Sequence, residues 1–264
     1  MRLIMCCQKI DGRDFRSDLR FSVIAAAFWK RVYPDGEVWL GTNTSDVPEA
    51  YKRHITVVEF PFGEYPAFGR TNFMTNYLHS PMFDRDTVFT GHDVVFLKPL
   101  PAFEAKGVTN YRYHPSQPYC SDLFIAKDKA YCSELFREIL QAHQWMPRPI
   151  VNGAGDQLAY TVTLGMPEAH MFNGQSFRTP RRPDILAVPA HEYLFTHNDG
   201  FPPNYRDFLR MSADTISFED MLTAKTAVHF KGNRKKEFFQ FGQWAYQQGH
   251  IQTDVFPEDE LFAV

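Results

Sequence analysis

The spacing of apolar residues changes repeatedly along the chain, and each change marks an element. Residues 2–7 form an apolar run too short for a signal peptide or a membrane span, and read as a first core strand. Over 14–32 the spacing becomes helical, with Phe15, Leu19, Val23, Ala26 and Ala27 on one face. Tyr33-Pro34-Asp35-Gly36 ends that helix. Strands are expected at 38–41 and 55–60, then a helix at 68–79. Two apolar runs, 87–90 and 94–97, enclose the polar triplet Gly91-His92-Asp93. Strands at 107–113 and 122–126 follow, then a helix at 128–143 that turns Leu135, Ile139 and Leu140 inward. A helix at 156–164, a strand at 227–230 and a helix at 236–248 complete the pattern.

Strands alternating with helices predict an α/β fold, a mostly parallel sheet with helices on both faces. Such sheets bind ligands beyond the carboxyl ends of their strands, so chemistry is expected in loops that directly follow strands. The 264 residues fit one large domain, 1–264, within which 165–220 is proline-rich and irregular.

Composition narrows the function classes. The net charge is −3, so the chain lacks the basic field of a general nucleic-acid binder. Its four cysteines (Cys6, Cys7, Cys120, Cys132) contain no CxxC pair, which argues against a zinc cage and for free thiols in a reducing, cytoplasmic setting. Aromatics make up 16%, and such rings fill cores as readily as they line clefts.

Three segments carry candidate chemistry. In the first, Gly91-His92-Asp93, a carboxylate ends a buried strand; it must be paired or bind a cation, although the triplet is equally good turn chemistry. In the second, His229-x-x-Gly232-x-x-Lys235 follows the last strand. An imidazole, a glycine permitting close backbone approach and a lysine suit a metal-bound diphosphate, and they also suit a strand leading into a solvated helix. The third, Gly155-Asp156-Gln157, opens a helix, where an aspartate also serves as a cap.

In order and spacing these segments resemble the GT-A nucleotide-sugar transferases, most nearly the family-8 retaining type. That family has a DxD motif between two apolar strands, a Gly-Asp-Gln stretch opening a helix, and His-x-x-Gly-x-x-Lys near its C-terminus. The resemblance spans roughly residues 1 to 240. It implies a GT-A, Rossmann-like fold and transfer of a sugar from a nucleoside-diphosphate sugar, by default a UDP-sugar, with retention. Asp93 and His229 would hold a divalent metal. Gly232 and Lys235 would bind the diphosphate. Asp156 would contact the donor sugar, and Gln157 would lie beneath the anomeric carbon. Arg70 would touch sugar or phosphate, and Cys6, Cys7 and Gln8 would line the nucleotide pocket. The region 165–220 would be an acceptor-side lobe or lid. The chain departs from the family at Gly91, which replaces the first DxD aspartate. His92 could stand in as a softer ligand that favours Mn²⁺ over Mg²⁺. A literal DxD, Asp84-Arg85-Asp86, precedes the strand and reads as a surface loop. The acceptor is not legible, and glycan, lipid-linked sugar, protein and modified base all remain open. Two rival readings are a non-catalytic nucleotide-sugar-binding protein and a sugar nucleotidyltransferase or donor hydrolase.

Overall fold

A computed structural model describes residues 1–63, 65–111, 118–146, 155–165, 168–172, 175–178, 182–196, 217–230 and 235–253. In chain order the elements are β1 (Arg2–Cys6), α1 (Phe15–Val32), β2 (Glu37–Thr42), α2 (Glu49–Lys52), β3 (Thr56–Glu59), α3 (Pro66–His79), β4 (Thr87–Gly91) and β5 (Val94–Phe96). Next come β6 (Gly107–Tyr111), β7 (Tyr119–Ala126), α4 (Lys129–Gln144), α5 (Gly155–Leu164), β8 (Glu168–Phe172) and β9 (Gln175–Arg178). The last are β10 (Ile185–Pro189), α6 (Ala190–Tyr193), β11 (Phe195–Thr196), α7 (Phe218–Ala224), β12 (Ala227–His229) and α8 (Lys235–Gln247).

The main sheet has seven strands in the order β10-β6-β7-β4-β1-β2-β3. β1 pairs in parallel with β2 and β4, β2 with β3, and β6 with β10; β7 runs antiparallel to both its neighbours. A second sheet, β11-β12-β5, sets the late strand β12 antiparallel to β5, and β8 and β9 form a separate hairpin. Part of the region read as irregular is therefore integral, because β10 is an edge strand of the main sheet.

Both faces of the main sheet are covered, so its central strands are apolar on both sides. Alternation sorts the side chains. Leu3, Met5, Val88, Leu123 and Ile125 face one core with α1 and α8, while Ile4, Phe89 and Phe124 face a second core with α3, α4 and α5. Helix starts follow local chemistry: Asp14 caps α1 by accepting from Ser17 N, and Asp128 caps α4 by accepting from Tyr131 N. Pro66 occupies the first turn of α3, where its missing N–H costs no hydrogen bond. Gly69 lets that helix approach the preceding loop, since a Cβ there would lie 2.5 Å from the Phe62 carbonyl oxygen. This close approach seats the next residue, Arg70.

The Asp84-Arg85-Asp86 triplet lies outside the crevice. Asp84 pairs with Arg85 and with Arg2, whose guanidinium also stacks on Trp39, so the triplet fastens the start of β1 to its surroundings.

Candidate active site

The chain builds β1, β2 and β3 outward in one direction and then returns to place β4 on the other side of β1. That reversal opens a crevice beyond the ends of β1 and β4, where register sets Cys6 beside Gly91. A cavity of about 250 Å³ lies there.

Asp93 sits in the two-residue link between β4 and β5. The far end of the chain reaches it through strand pairing: His229 of β12 lies across from Val94, and Phe230 N donates to the Asp93 carbonyl at 3.0 Å. As a result His229 Nε2 stands 3.5 Å from Asp93 Oδ1 and 3.7 Å from Asp122 Oδ2. Cys120 and Asp122 come from β7, and the Cys120 thiol donates to Asp122 Oδ2 at 3.2 Å. Ligand atoms of Cys120, Asp122 and His229 lie within 4.8 Å of one another.

A second cluster adjoins the first. Arg70 donates through Nη1 to Asp122 Oδ1 and through Nη2 to Asp156 Oδ2, each at 2.5 Å, and also to Ser121 Oγ. Ser121 Oγ donates to Asp156 Oδ2 at 2.6 Å. Asp156 lies in the first turn of α5, where the helix dipole favours a negative charge. Its Oδ1 accepts from the Gln157 backbone N–H, and both Asp156 and Gln157 are buried and line the cavity.

Burial disfavours charge on these groups, and their neighbours reverse that effect. Burial alone would lower the pKa of His229, but the carboxylates of Asp93 and Asp122 carry it up to about 10. Burial would raise Asp93, and His229 more than offsets it, so this carboxyl sits below its ordinary range. Arg70 is desolvated too, yet Asp122 and Asp156 hold it firmly protonated. Burial pushes the Cys6 thiol up to about 12, with Arg70 opposing, so it is no thiolate nucleophile.

The residues fit a divalent cation. Two carboxylates and an imidazole are a donor set for Mn²⁺ or Mg²⁺. One further feature agrees: the side chain absent at Gly91 leaves room between the carboxylates. A metal must displace the His229 proton. Mn²⁺ affinity is therefore expected to rise about tenfold per pH unit towards pH 10. The metal-free protein follows the opposite trend. His229 has a raised folded-state pKa, so its ion pairs stabilise fully below about pH 6.5 and lose that contribution as pH climbs to about 10. Calorimetric Mn²⁺ titration in buffers of increasing pH checks the first trend, and a flat profile would contradict it.

The structure brings together Arg70, Asp93, Asp156, Gln157 and His229, with Cys6 and Gln8 on the crevice wall. Gln8 donates to the Gly63 carbonyl at 2.7 Å. One expectation changes. Cys7 packs into the core with α1, because alternation turns it away from the face shared by Cys6 and Gln8. His92 lines the same cavity; its Nδ1 donates to the Cys6 carbonyl at 3.2 Å, and Nε2 meets Asp18 Oδ1 at 3.2 Å. Asp18 is buried on α1 and is also paired with Arg13, so His92 ties α1 to the end of β1. Gly232 and the side chain of Lys235 lie outside the described residues. Sequence reasoning missed Asp122, Ser121, Cys120 and Asp18.

No family model matches the chain, and no curated protein matches it in sequence. Solved structures do share its fold. The apo form of the glycosyltransferase GlyE of Streptococcus pneumoniae matches with a TM-score of 0.58 at 9% identity, covering 96% of this chain and 64% of that one. The apo bifunctional glycosyltransferase WbbM matches with a TM-score of 0.54 at 9% identity, covering 91% and 49%. An active-site mutant of LgtC matches at 0.50 and 10% identity, covering 98% of both chains. The chain thus spans about half of WbbM and nearly two-thirds of GlyE. Its architecture is the Rossmann-like α/β fold of these GT-A glycosyltransferases.

Proposed function

We propose that the chain is a glycosyltransferase that moves a sugar from a nucleoside-diphosphate sugar, most simply a UDP-sugar, to an acceptor hydroxyl, with help from a divalent metal. The observation that carries this reading is the meeting of Asp93 and His229, 136 residues apart in the chain, across 3.5 Å in the crevice of a glycosyltransferase fold. Asp93 and His229 would hold the cation. Bound there, it would neutralise charge on the departing diphosphate. The imidazole ligand favours Mn²⁺ over Mg²⁺. Gly232 and Lys235 would bind the same diphosphate, as the family resemblance implies. Such preorganised charge is commonly the largest single contribution to catalysis.

Arg70 and Ser121 fix the Asp156 carboxylate, which would orient the donor sugar. Gln157 would lie beneath the anomeric carbon, a position suited to supporting attack from the face of departure, and hence retention. The Gln157→Ala variant is expected to lower kcat while leaving donor KM within a few-fold, because it removes support for the reacting centre and leaves the diphosphate contacts intact. Initial rates across donor concentrations separate the two parameters. The wider proposal is tested by UDP release from a panel of UDP-sugars with and without Mn²⁺. Mn²⁺-dependent release from one or more donors supports it, and no release from any donor contradicts it. A cytoplasmic site of action belongs to the same proposal. It is supported by the free state of all four cysteines; no described helix is long and apolar enough to cross a membrane.

A further inference from the structure

The Gly91 backbone does not itself require glycine, since its φ is not among the positive values of the described glycines. Space requires it. A Cβ built there would lie 2.6 Å from Asp93 Oδ1 and 3.1 Å from Asp122 Oδ1. A side chain at 91 and the present pair of carboxylates exclude one another. The register Thr90↔Leu123 places Asp122 on the neighbouring strand, across from Gly91, and Thr90 Oγ1 donates to the Asp122 carbonyl at 2.8 Å.

We infer that Asp122 supplies, from β7, the carboxylate that β4 lacks at Gly91, so that the cation is held by Asp93, Asp122 and His229. The inference deepens the glycosyl-transfer reading and rests on its metal. The two oxygens of Asp122 are divided between tasks. Oδ1 takes the Arg70 guanidinium at 2.5 Å, and Oδ2 faces His229 Nε2 and the Cys120 thiol. A counterion for Arg70 alone would not need the second orientation, and Arg70 already has Asp156. Charge agrees. Asp122 and Asp156 pair with Arg70, and Asp93 pairs with His229, so the three carboxylates exceed the one guanidinium by two negative charges, which a divalent cation matches. The carboxylate has been transposed by one strand, and glycine at 91 makes the room.

The test is Mn²⁺ binding to the full chain without donor, followed by electron paramagnetic resonance. Asp122→Asn is expected to weaken binding by more than about 10-fold, the lower bound for loss of an outer partner of a metal site. Asp156→Asn also removes an Arg70 pair but leaves the cation cluster alone, so its Mn²⁺ affinity should stay near wild type. Gly91→Asp should weaken binding by crowding Asp93 and Asp122, and the double variant Gly91→Asp/Asp122→Gly should recover most of that loss. Equal binding by wild type and Asp122→Asn overturns this inference alone. Equal weakening in Asp122→Asn and Asp156→Asn also overturns it, because Asp122 would then act through Arg70. A double variant no better than Gly91→Asp overturns it even if Asp122→Asn fails to fold. A wild-type chain that binds no Mn²⁺ overturns both this inference and the metal reading beneath it.

Discussion

Replacing Asp93 with alanine is expected to lower kcat/KM for the preferred UDP-sugar by about 10³-fold, the scale of losing one preorganised electrostatic group in an active site, and to abolish tight Mn²⁺ binding. The expected loss is chemical, with the fold retained. The Asp93 carbonyl stays anchored by Phe230 N at 3.0 Å, and the neighbouring Val94–Phe96 strand is wholly buried. Among the described residues the side chain, by contrast, serves its ion pair with His229 and a weaker attraction to His92. The folding free energy should therefore change by no more than about 1–2 kcal/mol. UDP-release kinetics, Mn²⁺ titration and a denaturation curve on the same preparation separate these effects. His229→Ala should behave alike in activity. If Asp93→Ala binds UDP and metal as wild type does, the assignment of this carboxylate is wrong.

Removal of Arg70 is expected to damage the fold itself. Its guanidinium is shared by Asp122 and Asp156, whose side chains are 13% and 7% exposed. Arg70→Ala would take the guanidinium from two largely buried carboxylates, leaving Asp122 with His229 and Asp156 with the Ser121 hydroxyl and the Gln157 N–H, and breaking a buried pair costs about 3–5 kcal/mol. For a chain of this size each kcal/mol lowers the melting midpoint by about 2–4 °C, so a drop near 10 °C is expected. Arg70→Lys should rescue little. One ammonium cannot reproduce the planar fork that reaches Asp122 with one nitrogen and Asp156 with the other. Thermal and denaturant unfolding of the three proteins decide this. A midpoint unchanged in Arg70→Ala would show that the carboxylates find other partners or remain solvated.

Much of this was legible from residue types alone. Helical spacing from Phe15 onward and apolar runs at β1, β4 and β12 gave the elements, because buried parallel strands leave strong continuous signals. The order of Gly91-His92-Asp93, Gly155-Asp156-Gln157 and His229 pointed to the crevice that the structure forms. The misses have physical causes. The strand expected at 122–126 in fact begins at Tyr119. Its polar Ser121 and Asp122 broke the apolar pattern that would have extended it. Asp122 consequently read as a strand boundary, whereas it is a mid-strand group directed at His229. The pairing of β7 with β4, which brings it to Gly91, is a long-range register that local sequence does not display. The placement of Cys7 was recoverable, since period-two alternation already separates it from Cys6 and Gln8. His92 was not, because its partner Asp18 lies on α1, 74 residues earlier.

In the proposed enzyme one cation joins the middle of the chain to its far end. Anomalous X-ray scattering from crystals grown with Mn²⁺ and UDP tests it most directly. A manganese peak is expected within bonding distance of Asp93, Asp122 and His229, on the diphosphate side of the crevice. A peak elsewhere, or UDP bound in the crevice with no manganese beside these three side chains, would contradict it.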